Sequence, residues 1–380
     1  VAGSAYDGTV ARANAAAINA ALLSIYQRGG GSVMLPTPGD YFICAPTPAT
    51  ADRILSLYSN VTLDSVPGVR LIAPPAVSEP CVPIVVAANY RSVKKSVTSI
   101  ICSTSAAPYT TTAVATITAH GRAVGEDVLV LGDTTGYYNE KVYRIVAVTT
   151  NTLTFLMFGF SSPPPNAAGT VIMYPADFNI GVGESLVIDG NLNANAAGYT
   201  GDLGKMGIIP AKSGGAKIRG KFQNCAKYGI YAVLCYDAEF TLGVGDGPSS
   251  AFQINGPVGR VKITGLKGSV GDDMVPLITD NAGFTQYDIR DADAGSYAAG
   301  TKCSDGNIHD VVILDMQPHV GGSRTVVLAG STYSIKRVTV RNFQGDSSLA
   351  GFYAYIDSVA GQTLTVEDFL IDGYYGVFGS

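Results

Sequence analysis

Gly271-Asp272-Asp273-Met274 sets two carboxylates side by side at the head of an apolar run, Met274-Val275-Pro276-Leu277. A second Gly-Asp pair, Gly245-Asp246, closes the run that starts at Phe240 and precedes another apolar run at Phe252. If the two stretches are successive turns of one repeating backbone, equivalent positions lie about 4.8 Å apart and Asp246 stands beside Asp272 and Asp273. Carboxylates that close repel one another, so at least one is expected to keep its proton to higher pH than usual. A protonated acid for the leaving oxygen and an ionised partner for water or attack is the combination that cleaves glycosidic bonds. Tight-turn chemistry competes with this account, because Asp after Gly bonds its own backbone. For a lone Gly-Asp the turn is the better explanation; for Gly-Asp-Asp beside a second Gly-Asp, chemistry is. On the same alignment Arg324, in Gly322-Ser-Arg324-Thr-Val-Val, falls in this column two coils later, and Lys227 falls on its other side.

Such a column needs a scaffold of stacked strands. The 380 residues are 47% hydrophobic and only 14% charged, with 45 Gly, 21 Tyr and no Trp. Abundant Gly among short runs of Val, Ile, Thr and Tyr reads as many strands joined by tight turns. A net charge of −5 excludes a basic footprint for nucleic acid. No apolar run reaches the ~18 residues that a membrane-spanning helix needs. Cys44, Cys81, Cys102, Cys225, Cys235 and Cys303 contain no Cys-x-x-Cys pair, so buried free thiols are expected, with neither a structural metal nor a cofactor. The first residues have neither the basic nor the apolar segment of a signal peptide, and the abrupt ends are those expected of a fragment.

One helical pattern stands out over residues 10–27, with Ile18, Leu22 and Ile25 on one face and Ala elsewhere, stopped by Gly29-Gly30-Gly31. A helix over the open end of a strand stack hides the terminal apolar face. Residues 84–178 change texture to longer alternating strands, among them Val114–Ala119, Asp127–Leu131 and Tyr138–Val148, which predicts a small antiparallel β domain inserted in the stack. Beyond 185, Ile188, Ile218, Phe240, Ile263, Ile289, Val312, Val338 and Val366 recur every 22 to 30 residues with no helical pattern between them. That interval predicts one solenoid coil per repeat, where a sandwich shows strands about every 8–12 residues. The fold class is therefore all-β: a parallel β-helix with a capping helix, divided into 1–83, the insertion at 84–178, and 179–380.

The helix, Gly30-Gly-Ser-Val-Met-Leu-Pro36, Tyr41-Phe-Ile43 and Leu57-Tyr-Ser-Asn-Val-Thr-Leu63 together resemble the opening of the pectate-lyase superfamily of right-handed β-helices, which includes phage tailspikes and family-28 polygalacturonases. Val187-Ile-Asp189-Gly190-Asn191 is similar to an Ile-Asp-Gly-Asn element of that group. Gly271-Asp-Asp-Met-Val-Pro-Leu277 resembles the polygalacturonase motif that supplies two catalytic aspartates, and Gly322-Ser-Arg324-Thr-Val-Val its substrate-binding Arg-Ile-Lys strand, with Val326 in place of the lysine. The motif carrying the third aspartate is absent, and Asp246 stands in roughly its place; the Gly-Gly-His motif is absent too, and His309 and His319 match it poorly.

The resemblance implies a tailspike-type depolymerase that hydrolyses a bacterial capsule, exopolysaccharide or O-antigen. Asp272 and Asp273 would be acid and base, Asp246 an assistant, and Arg324, Lys227 and His309 substrate ligands. It also implies a homotrimer on a virion tail, acting outside the cell without membrane insertion. A lyase on a uronate glycan and a non-catalytic receptor-binding protein are the competing readings; Arg290 and the tyrosines leave a lyase base open.

Overall fold

The computed structural model describes residues 6–45, 52–75, 82–104, 110–191, 206–241, 243, 247, 250–279, 306–320, 324–330, 333–347, 350–356 and 364–378. Among them is one helix, Gly8–Gln27. Asp7 caps it, accepting from the backbone N–H of Thr9 and Val10. Ala11, Ala15, Ile18 and Leu22 form its buried stripe, one residue in each successive turn. The helix also closes the first coil through polar groups. Asn14 Nδ2 donates to Phe42 O at 3.0 Å, and Asn19 both donates to Ile54 O at 2.7 Å and accepts from Ser56 N–H at 3.0 Å. Side-chain amides here take the place of a neighbouring strand, which blunts an edge that would otherwise pair with another chain.

From there the chain winds as a right-handed parallel β-helix with three faces. The first face stacks Val33, Leu63, Val182, Ile218, Phe240, Ile263, Ile313, Val340 and Ile371 in register. The second stacks Tyr41, Leu71, Ile188 and Phe222. The third runs from Leu55 and Val85 through Ile208 and Ile230 to Phe252, then from Ile254 to Leu277 and Leu328. Most of these side chains are fully buried, and each contributes about 1.5–3 kcal/mol by leaving water.

The register corrects the expected coil sequence. Ile218, Phe240 and Ile263 are neighbours as the spacing predicted, but Ile188 belongs to the second face. Ile289 lies outside the described residues, and no coil separates Ile263 from Ile313, which pair directly. Neighbouring coils are therefore 22, 23 or 27 residues apart in some places and 50 or 119 in others. Long excursions leave the stack between paired strands, and a periodicity count mistakes them for coils.

One excursion carries every antiparallel pairing among the described residues, all between Lys95 and Ala176. It has its own core, in which Ile100, Ala113, Val128, Phe155 and Met173 are buried and Tyr143 stacks on Phe155 at 4.4 Å. The strand Ile172–Phe178 joins it to the solenoid. Its start pairs antiparallel with Asp127–Leu131, and Asp177 and Phe178 pair parallel with Ser213 and Gly214. Asp177 is buried at this join and accepts from Asn89 N–H at 2.7 Å and Asn89 Nδ2 at 3.2 Å. Burial outweighs those bonds and pushes its carboxyl up to about 7.

At one corner of the solenoid each coil turns through a left-handed residue: Gly30, Asn60, Asn179, Gly215, Asp237, Arg260, Asp310, Arg337 and Asp368 all have φ between 51° and 115°. Asn and Asp tolerate this conformation; Arg does so at a cost of about 1–2 kcal/mol.

Candidate functional site

The aspartate pair sits at a different corner, where Lys267–Val270 turns into Val275–Ile278. Met274, Val275 and Leu277 are buried and fix the turn to the core. Ala251 N–H donates to Asp273 O at 3.3 Å and Met274 N–H donates to Arg324 O at 3.0 Å. These bonds place Arg324 on the coil directly after the aspartates, not two coils later. Arg324 Nε lies 2.8 Å from Asp273 Oδ1 and Nη2 3.4 Å from Oδ2. The same Nη2 is 3.7 Å from Asp272 Oδ1. The Asp273 side chain is 10% exposed and that of Asp272 49%. One carboxylate is thus inside and held by a fork of two N–H groups, and the other is presented to solvent above it.

Asp246 lies outside the described residues, but the register around it is offset from the expected alignment. Gly247 bridges Val270 and Ala251 N–H meets Asp273 O, so the residue level with Asp273 is the buried Ser250. Lys227 does fall in the column: the pairing of Ile230 with Phe252 and of Ile254 with Leu277 carries it to the level of Asp272, two coils earlier. Its ammonium lies 5.4 Å from the Tyr228 ring, which in turn stacks on Tyr231 at 5.8 Å.

His309 does not join this corner. It lies on the first face opposite Gly259, whose lack of a Cβ lets the imidazole cover it; a Cβ there would come within 2.4 Å of the ring. Both ring nitrogens are engaged, Nε2 with Glu140 of the inserted domain and Nδ1 with Asp310, each at 2.7 Å. Arg260 reaches the same Glu140 carboxylate at 3.1 Å and Asp237 at 2.6 Å, and Arg337 clasps Asp310 at 2.6 and 2.8 Å. The hydrogen bond that His309 donates to Glu140, against the pull of burial, raises the His309 pKa above the usual imidazole value. Burial works to raise Glu140, yet His309 and Arg260 hold it below the ordinary range; the Arg337 fork holds Asp310 well below it. An open groove of about 600 Å³ runs beside this ladder, lined by Asp237, Glu239, Arg260, Lys262 and Asp310. Sequence reasoning missed the ladder, although it has a signal. Each of Asp237, Arg260, Asp310 and Arg337 immediately precedes a buried Ala or Val, with the sign alternating from coil to coil.

The Asp189-Gly190 element is structural. Asp189 is buried and accepts from Arg70, Gln223, Asn224 and the Asn191 N–H. A Cβ on Gly190 would lie 2.4 Å from Asn224 O. The motif therefore locks three neighbouring coils together.

No family model and no curated protein sequence matches the chain. Similar solved structures are the Gp54 tailspike of Acinetobacter baumannii bacteriophage AP22 in complex with A. baumannii capsular saccharide (8% identity, TM-score 0.36, 95% of this chain and 69% of that one), a tailspike variant of E. coli bacteriophage HK620 in complex with a pentasaccharide (11%, 0.42, 95% and 53%), and the A-module of the Azotobacter vinelandii mannuronan C-5 epimerase AlgE4 (12%, 0.32, 97% and 93%).

Proposed function

We propose that the chain is a tailspike-type protein acting on a bacterial surface polysaccharide, and that it hydrolyses glycosidic bonds at the corner formed by Asp272, Asp273 and Arg324. The observation that carries this reading is the asymmetry of the pair: Asp272 is half-exposed above a buried Asp273 that is fixed by Arg324. A glycan laid along the corner meets Asp272 first. Asp273, kept charge-balanced by Arg324, supplies a fixed negative charge where an oxocarbenium-like centre develops. Lys227 extends the same column and offers a cation for flanking sugars. Homotrimeric assembly and a place on a virion tail accompany this reading.

A second reading, glycan binding without cleavage, is favoured by one observation: Arg324, the expected substrate ligand, is engaged with both aspartates. Reducing-end release from host polysaccharide separates the two. Wild type releases ends and Asp272→Asn and Asp273→Asn do not, if hydrolysis is right. Binding without release by wild type selects the second reading, and a rise in absorbance near 235 nm from an unsaturated uronate turns the hydrolase into a lyase.

A further inference from the structure

A cavity of about 200 Å³ opens in the inserted domain where it meets the solenoid. At about 30 Å³ per water, that space holds six or seven waters, close to the room one sugar ring takes and too little for two. Its inner wall is apolar, built from Ile117, Val128, Leu153 and Met173, all nearly fully buried. Its polar lining is basic. Lys95 is exposed at the edge, and Arg122 contributes a guanidinium whose Nε is buried with no hydrogen-bond partner; its Nη1 stands 3.5 Å from Glu126. His120 also lines the space but is already spent, with Nε2 on Thr149 O and Nδ1 accepting from Arg122 N–H. Behind Tyr174 and Ser92, two further lining residues, lies Lys212. It is fully buried, its ammonium bonded to Ser92 O and 4.8 Å from the Tyr174 ring.

A compact cavity with one apolar wall, basic groups at its edge and a third cation behind it fits a small ring that carries a single negative charge. We propose that this cavity binds one uronate residue, its carboxylate taken by Arg122 and Lys95 and the C–H face of its ring laid on the Ile117–Met173 wall. The charge-assisted bond to Arg122 makes a neutral sugar a poor substitute. The site is separate from the Asp272 corner. It rests on the polysaccharide reading only in naming a sugar as the source of the carboxylate.

Binding is measured without turnover, so it is independent of whether the corner cleaves anything. Ligand-observed NMR titration of the whole chain with sodium glucuronate, sodium galacturonate, methyl glucoside and inorganic phosphate is the test. The expected result is saturable binding of a uronate, at least tenfold weaker for methyl glucoside and for phosphate, and at least tenfold weaker in Arg122→Gln and in Lys95→Gln. Lys95 is exposed, so its variant reports even if Arg122→Gln fails to fold. Equal binding of the neutral sugar or of phosphate, no uronate binding by wild type, or full binding by Lys95→Gln overturns the proposal. Reducing-end release by a wild type that binds no uronate would sink the cavity while leaving the corner intact.

Discussion

The corner at Asp272 and the ladder at Asp237–Arg260–Asp310–Arg337 both stack charge on successive coils, yet they place it in different environments. On the ladder, acids and bases alternate, the Asp310–Arg337 pair is 36% and 52% exposed, and the charges are matched in the plane of the surface. At the corner, two adjacent acids share one Arg, and the member that binds it best is 10% exposed. A matched surface ladder gains little from each pair and loses little when one is removed. A buried acid held by a cation is sensitive to the loss of that cation, and the neighbouring Asp272 faces solvent with a 3.7 Å contact to the same Arg324. The first pattern holds parts together; the second keeps a reactive group available.

The largest effect should fall on activity at the corner. Asp272→Asn is expected to cut reducing-end release by about 10²–10⁴-fold, the usual weight of a general acid or base, with no change in melting temperature. Retained release would remove the functional half of the contrast. Next is Arg324→Met, which removes the guanidinium fork from the buried Asp273 carboxylate and should lower stability by about 3 kcal/mol in urea unfolding. If it costs less than about 1 kcal/mol, the two regions are energetically alike and the comparison fails.

His309→Gln should cost about 1–2 kcal/mol, since Gln replaces only one of two charge-assisted bonds, to Glu140 or to Asp310. The wild-type contribution also depends on pH. Folded His309, facing Glu140, Asp310 and the cations Arg260 and Arg337, binds its proton more tightly than the unfolded residue. Its stabilisation is therefore complete below about pH 6.5 and fades as the pH rises through the higher folded value. Urea midpoints from pH 6 upward should fall in wild type and flatten in His309→Gln; parallel curves would show that the clasp does not titrate. The smallest effect belongs to Arg337→Met, at most about 1 kcal/mol, because the exposed pair lost is offset by little.

The sequence carried the solenoid, its capping helix and the inserted antiparallel strands, because these follow from periods of 2 and 3.6 and from glycine-rich turns. It did not carry the register. Gly247 pairs with Val270 and Ile254 with Leu277, so this coil is 23 residues long, not the 26 that aligning the two Gly-Asp pairs assumes. Arg324 was reached by analogy of motif and turned out one coil nearer than counted, because Ile263 pairs directly with Ile313 and Val275 with Val326. The place of His309 on the ladder was not legible because its partner, Glu140, lies 169 residues away in a domain that sequence spacing cannot fold back onto the stack.

Asn60 and Asn179 touch through their side chains at 3.3 Å, 119 residues apart, as adjacent rungs at the left-handed corner. By the logarithmic scaling of loop closure, a 119-residue departure costs only about 1.5 kcal/mol more than a 23-residue one. The scaffold is thus a socket that accepts cargo of almost any length between two rungs. Evolution can exchange the inserted domain, and whatever ligand it recognises, without re-solving the fold of the stack or disturbing the corner that carries the aspartates.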